Sequence, residues 1–363
     1  MGTWQRASSP PSKGDRPVSG ALRALGIAAR AIWGEVAGFR FDFPARPVLE
    51  AAVPGSLRYH LDAPDLFHGA MLLDGDGVPY HESRTFRAYN PAYVALYGLR
   101  ALDAFARGAD PAGRRRFEQQ LAWLRRHAQH RPDGSVVWTY DFDWREHDCV
   151  LRPPWISAMA QGLALSALVR AHRVLRVPAD LALARAAALP FERDIADGGV
   201  RDPLHEAAVY EEYAALPVTR VLDGFLFSLL GLYDLALETD DGRIRELFVT
   251  GVRGLSAEIG RWDAGGWSWY GRQLYLAPPA YHAINRALLA SVARIAGERT
   301  LLDTAASWDP AALSLAARTG VYLRFVTGKQ WSRVRDRLIV APRVRARDAR
   351  AARTAAQPAA SSE

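Results

Sequence analysis

Tyrosines, whose hydroxyl groups could move a proton on carbon, occur in three stretches, and the first stretch also contains two glutamates. These are Tyr210-Glu211-Glu212-Tyr213, Trp267-Ser268-Trp269-Tyr270 and Tyr281-His282. A phenol has a reference pKa of ~10, so its anion is a strong base wherever a site stabilises it, and a neutral phenol can return a proton. No Ser/His/Asp or Cys/His arrangement competes with them. The pattern therefore indicates an enzyme that moves a proton on carbon while holding a sugar.

Each of these stretches also has an ordinary structural explanation, and both interpretations stay open. Glu212-Tyr213 is either a base with a carboxylate beside it or a surface loop with a capping carboxylate. Because a neighbouring carboxylate raises the pKa of a phenol, Glu212 is expected to bind a sugar hydroxyl, stay protonated or accept the phenol's proton. The Gly- and Trp-rich stretch at 263–270 is either a stacking surface for sugar rings or a packed aromatic turn. Tyr281 is either a site residue or an amphipathic helix residue.

The sequence does not favour a metal or another cofactor. His127, His130 and Asp133 lie near one another, but no HExxH motif, EF-hand loop or cysteine pair is present. The single cysteine, Cys149, rules out a disulfide within the chain and favours a reducing compartment. We therefore expect an enzyme without cofactors.

The net charge of +7 over 363 residues is concentrated near the C-terminus. Residues 329–353 hold nine Lys and Arg against two Asp, which leaves the rest of the chain neutral. Residues 326–363 are predicted to be a basic, Ala-rich tail that extends into solvent and can attract a polyanion. Nucleic acid is not the expected partner, since the basic run lacks interleaved aromatic residues and a recognised binding motif.

The first 37 residues read as a mobile leader and an amphipathic helix. Charged residues interrupt the apolar run at 21–39, so it is a poor signal peptide, and no run of ~18 apolar residues predicts a membrane span. The helix either packs on the domain surface or makes peripheral membrane contact. We expect a cytoplasmic protein, with attachment at the inner face of the membrane left open.

Helical periodicity dominates the rest of the chain. Residues 38–88 predict a short β-rich segment, and residues 89–325 predict a series of helices joined by long loops at 133–154, 192–216 and 261–280. The last clear helix is predicted to begin at Asp309-Pro310 and to end at Gly320. Because long loops in a compact domain are often functional, the expected fold is an α/α toroid, an incomplete barrel of helical hairpins around a cleft.

Several blocks of this chain resemble the C-terminal domain of the D-glucuronyl C5-epimerases. The resemblance covers residues ~85–320 and rests on segments that occur in the family's order. They are Tyr89-Asn-Pro, Ala95-Leu-Tyr-Gly-Leu99, Pro154-Trp-Ile-Ser-Ala-Met-Ala-Gln-Gly162, Gly198-Gly-Val200, Tyr210-Glu-Glu-Tyr213, Val221 to Leu235, Tyr270 and Tyr281-His282.

The resemblance implies a carbohydrate epimerase that inverts C5 of D-glucuronate to L-iduronate within a heparosan-like polysaccharide. It implies an α/α barrel, usually homodimeric, in which Tyr213 and Tyr281 transfer the proton, Tyr270 is a third active-site tyrosine and Glu212 is the adjacent carboxylate. The predicted substrate-binding residues are Glu146, Gln161, Asp223, Arg272 and His282. Gln161 is equally well explained as a buried amide that tethers a loop, and Asp223 stands where the family typically has Asn.

Two other functions remain possible from the sequence. A uronan lyase would share the first proton abstraction and then expel the C4 substituent. A non-catalytic protein that binds acidic glycans would keep the cleft without the chemistry.

Overall fold

The computed structural model describes residues 38–64, 66, 71–82, 87–272 and 275–355. The predicted leader at 1–37 lies outside the described residues. The prediction of a mainly helical fold with small β elements in its N-terminal part is confirmed. The closure of the helices into a toroid stays a prediction.

Short β-hairpins lie between the second and third helices and between the fourth and fifth in a series of helices. The helices are α1 (Pro91–Ala106), α2 (Gly113–Arg126), α3 (Ala158–Leu175), α4 (Pro178–Ala188), α5 (Leu222–Thr239), α6 (Gly242–Trp262), α7 (Pro279–Ala296), α8 (Arg299–Ser307), α9 (Leu315–Arg335) and α10 (Ala341–Ala355). The strands are β1 (Arg46–Pro47), β2 (Leu61–Asp62), β3 (Leu72–Leu73), β4 (Pro79–Glu82), β5 (Arg87–Ala88), β6 (Gln129–His130), β7 (Val136–Val137), β8 (Trp144–Glu146), β9 (Cys149–Leu151), β10 (Arg201–Leu204) and β11 (Ala207–Tyr210). All the strand pairs are antiparallel.

Helices α3 and α5 form the centre of the core. Their backbones touch where a Cβ atom at Gly162 would collide with the backbone of Phe227 and Ser228, and one at Gly231 with the backbone of Gly162. Both helices are apolar around most of their circumference, as expected for helices buried on all sides. Helix α1 packs against α3, and α7 packs against α5, so the first turns of these helices are held in one body.

A buried ionic cluster ties the N-terminal segment to this core. Arg170 on α3 donates to Asp234 on α5 at 2.5 Å and to the backbone oxygen of Arg58 at 2.7 and 3.0 Å. Ser166 donates to the same Asp234 oxygen, Oδ2, at 2.6 Å, and His60 Nε2 lies 2.9 Å from the other oxygen, Oδ1. Burial alone would raise the pKa of Asp234. The charges and hydrogen bonds of Arg170 and His60 outweigh the effect of burial and hold this pKa well below its ordinary value near 3.8.

The long loops predicted from the sequence contain the β-hairpins of the structure. The stretch at 133–154 holds β7, β8 and β9, and the stretch at 192–216 holds β10 and β11. These strands have two to four residues, too few for a period-2 pattern to be recognised in the sequence.

The predicted end of the last helix at Gly320 is wrong. Helix α9 runs from Leu315 to Arg335 and continues through a π-helical turn, Asp336–Val340, into α10. Pro342 lies just beyond the π turn, which widens the backbone where a proline ring would crowd the preceding α-helical turn. An interior glycine lowers helix propensity by only ~1 kcal/mol, which the neighbouring residues outweigh. Within the described residues, no helix is both long and apolar enough to span a membrane.

Candidate active site

Three helices direct their first turns at one cluster of tyrosines and carboxylates. Tyr93 is the third residue of α1, Asp223 the second of α5 and Tyr281 the third of α7. Asn90 caps α1 by accepting from the backbone N–H of Tyr93 at 3.2 Å. The N-terminal ends of helices carry partial positive charge, so this cluster lies where three helix dipoles favour an anion.

Of the two adjacent glutamates, Glu211 is structural. Its carboxylate accepts from the guanidinium of Arg220 at 2.5 Å and from the backbone N–H groups of Thr219 and Arg220 at 3.1 and 3.0 Å. Arg220 also pairs with Asp202 on β10. These contacts close the loop 211–220 on itself and fix the backbone that carries Glu212 and Tyr213.

Glu212 extends over the start of α5. A Cβ atom added at Gly224 would lie 2.5 Å from the Cβ and Oε2 atoms of Glu212, so only glycine leaves room for this side chain. The Glu212 Oε2 and Asp223 Oδ1 atoms are both buried and have no hydrogen-bond partner among the residues that the structure describes. A buried carboxylate oxygen without a partner is costly, and a ligand that donates or shares a proton would relieve that cost.

The carboxyl groups of the cluster have raised pKa values. Burial, the Asp223 charge and the Glu146 charge raise the pKa of Glu212 well above its ordinary value, against a hydrogen bond from Tyr213 that lowers it. Burial raises the pKa of Asp223 to about 6, against the backbone N–H groups of Asp223 and Gly224. These two groups hold protons to higher pH than ordinary carboxylic acids do.

The β8–β9 hairpin brings a third carboxylate to the cluster. Tyr275 donates to Glu146 at 3.2 Å. Burial raises the pKa of Glu146 to about 7, although this hydrogen bond pulls the other way. On the same hairpin, the ring of Trp144 lies 6.2 Å from that of Tyr213.

The predicted tyrosines lie in one group. The rings of Tyr270 and Tyr281 meet edge to face at 5.4 Å, and those of Tyr270 and Tyr275 stack at 5.2 Å. Tyr213 interacts electrostatically with Tyr281 and Tyr270, and a hydrogen bond joins Tyr281 to Tyr93. Backbone hydrogen bonds from Leu222 to Tyr270 and from Arg272 to Thr219 hold the two contributing loops together.

The phenols of Tyr213 and Tyr93 are held neutral. Burial raises the pKa of Tyr213 well above its ordinary value, and the Glu212 and Glu146 charges add to that rise. Burial also raises the pKa of Tyr93 to about 12, with the Glu212 and Asp223 charges acting in the same direction. A free phenolate is therefore unfavourable here, and a tyrosine that accepts a proton must pass its own to a neighbour.

Two predicted substrate-binding residues belong to the core instead. The Gln161 side chain accepts from the backbone N–H of Trp138 at 3.2 Å and donates to the backbone oxygens of Val136 and Ala187 at 2.9 Å. These are the contacts expected of a buried amide that tethers loops, the alternative to a substrate-binding role for Gln161.

His282 is likewise fully bonded within the protein. Its Nδ1 accepts from the Ser268 N–H at 3.1 Å, its Nε2 lies 3.0 Å from the backbone oxygen of Trp308, and its ring stacks on Trp267 at 3.7 Å. Burial lowers the pKa of His282 to about 3, so the ring is neutral and has no donor left for a substrate.

Arg272 lies on the exposed surface, where it donates to Asp148 at 2.9 Å, and the structure does not bring it into the tyrosine cluster. Sequence reasoning missed Tyr93 and Tyr275. Tyr93 follows the Asn90-Pro91 helix start, a signal that places it in a first turn, whereas Tyr275 carries no local signal. Among the described residues, no group of three or more His, Cys, Asp or Glu side chains could hold a metal ion.

Comparison with known proteins relates about half of the chain to one family. Residues 132–310 match the family model described as D-glucuronyl C5-epimerase C-terminus. A D-glucuronyl C5-epimerase of Caenorhabditis elegans is 35% identical over 205 residues, which are 51% of this chain and 33% of that protein. Residues 132–310 are thus similar to the C-terminal part of the D-glucuronyl C5-epimerases. An uncharacterized protein of Methanocaldococcus jannaschii is 23% identical over 177 residues, 48% of this chain and 57% of that protein.

The segment that matches the epimerase family model, residues 132–310, contains most of the tyrosine and carboxylate cluster. Glu146, Glu212, Tyr213, Tyr270 and Tyr281 all fall within it, whereas Tyr93 lies ahead of it in the chain. The chain spans about a third of the length of the worm relative and 57% of the archaeal one.

Proposed function

We propose that this protein is a carbohydrate epimerase that inverts C5 of a D-glucuronate residue within a heparosan-like polysaccharide. The observation that supports the proposal is the proximity of Tyr213, in the loop at 211–220, to Tyr281, in the first turn of α7, beside carboxyl groups of raised pKa. The family of residues 132–310 supports the choice of glucuronate as the sugar.

The reaction demands stabilisation of a doubly charged species. The C5 hydrogen of a glucuronate lies next to its carboxylate, so its removal gives an enolate-like dianion that water stabilises poorly. Preorganised donors aimed at the developing charge supply most of such a rate enhancement. The first turns of α1, α5 and α7 supply positive dipole ends, and Asp223 in its protonated form can donate to the substrate carboxylate.

The proton path follows from the neutral state of the phenols. Tyr213 takes the C5 proton on one face while its own proton passes to ionised Glu212, so no phenolate forms at Tyr213. Tyr281 donates its proton to C5 from the opposite face, and the phenolate left behind is shared through its hydrogen bond with Tyr93. Water then takes the proton from Glu212 and returns one to the Tyr281–Tyr93 pair, so both groups regain their starting states. Reversal of these steps serves the opposite direction.

Proton exchange at C5 tests the proposal. Heparosan oligosaccharides incubated with the protein in heavy water should gain deuterium at C5, observed by NMR. Tyr213→Phe and Tyr281→Phe should keep the fold and glycan binding but lower exchange by ~10²–10⁴-fold, the usual loss for one acid–base group. Tyr233→Phe is a matched control, because its hydroxyl bonds the backbone oxygen of Ala52 away from the cluster.

Three results would contradict the proposal. Wild-type exchange in both variants would remove the tyrosines from the mechanism. An unsaturated product that absorbs ultraviolet light would identify a lyase. Binding of several uronans with no exchange at C5 would identify a glycan-binding protein.

A further inference from the structure

The C-terminal helix, residues 315–355, is held to the domain by one of its faces. Val321 and Phe325 are 4% exposed and pack in a small apolar cluster with Trp267 and Leu276. Further along, Asp336 accepts from both terminal nitrogens of Arg145 on the β8–β9 hairpin at 3.0 and 2.6 Å. The inner face of the helix is therefore occupied.

The opposite face carries a second apolar row that we call the outer stripe. It consists of Leu323, Trp331, Val334 and Leu338, which are 55%, 66%, 47% and 69% exposed. Their spacing of eight, three and four residues places them on one side of a helix, about half a turn from Val321 and Phe325. A contiguous row of large apolar side chains in solvent marks an interaction surface.

The charges around the outer stripe have one sign. Residues 315–350 contain ten Lys and Arg residues and two Asp residues, a net charge of +8. Both aspartates pair with arginines of the domain, Asp336 with Arg145 and Asp348 with Arg152. Arg324, Arg337 and Arg345 are exposed. The outward side of the helix therefore combines exposed apolar side chains with exposed arginines, on a helix whose net charge is positive.

The apolar outer stripe and the positive charge around it together distinguish between possible binding partners. A second copy of the helix would bring like charges together around its own apolar row. A soluble polyanion would satisfy the arginines but would leave Trp331 and Leu338 in water. The surface of an anionic membrane meets both demands, because its headgroups attract arginines while Trp and Leu enter the acyl boundary. We propose that the C-terminal helix lies flat on an anionic lipid surface through the outer stripe.

Vesicle sedimentation tests this inference with the full chain. The protein should bind vesicles of phosphatidylglycerol and phosphatidylcholine, and bind phosphatidylcholine vesicles far less, with binding that weakens as salt rises. The variant Trp331→Ser/Leu338→Ser should lower the partition coefficient at least ~10-fold, because two buried apolar side chains are lost. Leu49→Ser/Val53→Ser is the matched control, since both residues are 56% exposed elsewhere on the surface and should leave binding unchanged.

Light scattering and C5 exchange separate the alternatives. Both double variants should keep their molar mass and their exchange rate on a soluble oligosaccharide. Equal binding to the two kinds of vesicle would overturn the inference. So would a change from dimer to monomer in Trp331→Ser/Leu338→Ser, which would identify a protein interface, or a loss of heparosan binding in the same variant, which would identify a glycan surface.

Discussion

Two buried groups of ionisable side chains in this protein have opposite electrostatics. In the core, the Asp234 carboxylate lies against Arg170 and His60, and its pKa is held well below its ordinary value. In the candidate site, Glu212 lies near Asp223 and Glu146, and its pKa is raised well above its ordinary value. Burial is similar in the two places, so the difference comes from the partners.

The two clusters differ in what their buried carboxylates can do. A buried carboxylate that is paired and fully hydrogen-bonded is locked in one protonation state and contributes a fixed contact. A buried carboxylate crowded by other acids has a raised pKa and can be left with an oxygen that lacks a partner, and perturbed groups of this kind are common in functional sites. The core cluster fixes α3 against α5, whereas the site cluster has the electrostatics that the proposed proton transfer requires.

The largest effect should come from breaking the core cluster. Asp234→Asn leaves the Arg170 charge buried without a counter-ion, so the free energy of unfolding should fall by about 3–5 kcal/mol. Urea unfolding followed by circular dichroism measures this. Asp303→Asn breaks the exposed pair with Arg299 and should cost under ~1 kcal/mol. Equal losses in the two variants would show that the core cluster is not special.

A methyl group should disrupt the site cluster without removing any of its chemical groups. Gly224→Ala forces Glu212 away from the first turn of α5, and C5 exchange should fall by ~10²-fold, as expected for a displaced catalytic group. Gly260→Ala is the control, since nothing lies within 4 Å of its added Cβ and the change should stabilise α6 by ~0.5–1 kcal/mol. Full exchange activity in Gly224→Ala would exclude Glu212 from the proton path.

The two clusters should give stability opposite dependences on pH. Glu146 and Asp223 have pKa values raised to about 7 and about 6, so their contribution is complete below their ordinary values and is lost as pH rises through 6 to 7. The pKa of Asp234 is lowered, so its contribution is present above 3.8 and is lost as pH falls below that. Tm measured from pH 3 to 9 should therefore fall at both ends.

Substitution separates the two limbs of that profile. Glu146→Gln or Asp223→Asn should flatten the decline on the alkaline side and leave the acid side unchanged. A decline that survives in both variants would assign it to other groups.

The smallest effect tests the link between the C-terminal helix and the site. Asp336→Asn weakens the hold on Arg145 next to Glu146, and exchange should fall by about threefold through looser positioning of the hairpin. The alkaline limb of the Tm profile should also shift, because the Asp336 charge helps to raise the pKa of Glu146. Asp348→Asn, which breaks only exposed contacts to Arg152 and Arg347, is the control and should change neither.

Local sequence signals predicted much of what the structure contains. Apolar periodicity predicted the series of helices after residue 88, which includes α1, α3, α5 and α7. Residue chemistry selected Glu212, Tyr213 and Tyr281, which the structure brings into one cluster. The short hairpins and the true length of the C-terminal helix were missed, because strands of two to four residues carry too little pattern and one glycine does not end a helix.

The sequence by itself determined which side chains could do chemistry and which segments are helical, since both depend on residues close together in the chain. Only the tertiary structure decided which of those side chains are free to act. Gln161 is occupied by Val136 and Ala187, and His282 by Ser268 and Trp308. Whether a buried polar atom has a partner depends on residues far away in the sequence, and no local pattern records that.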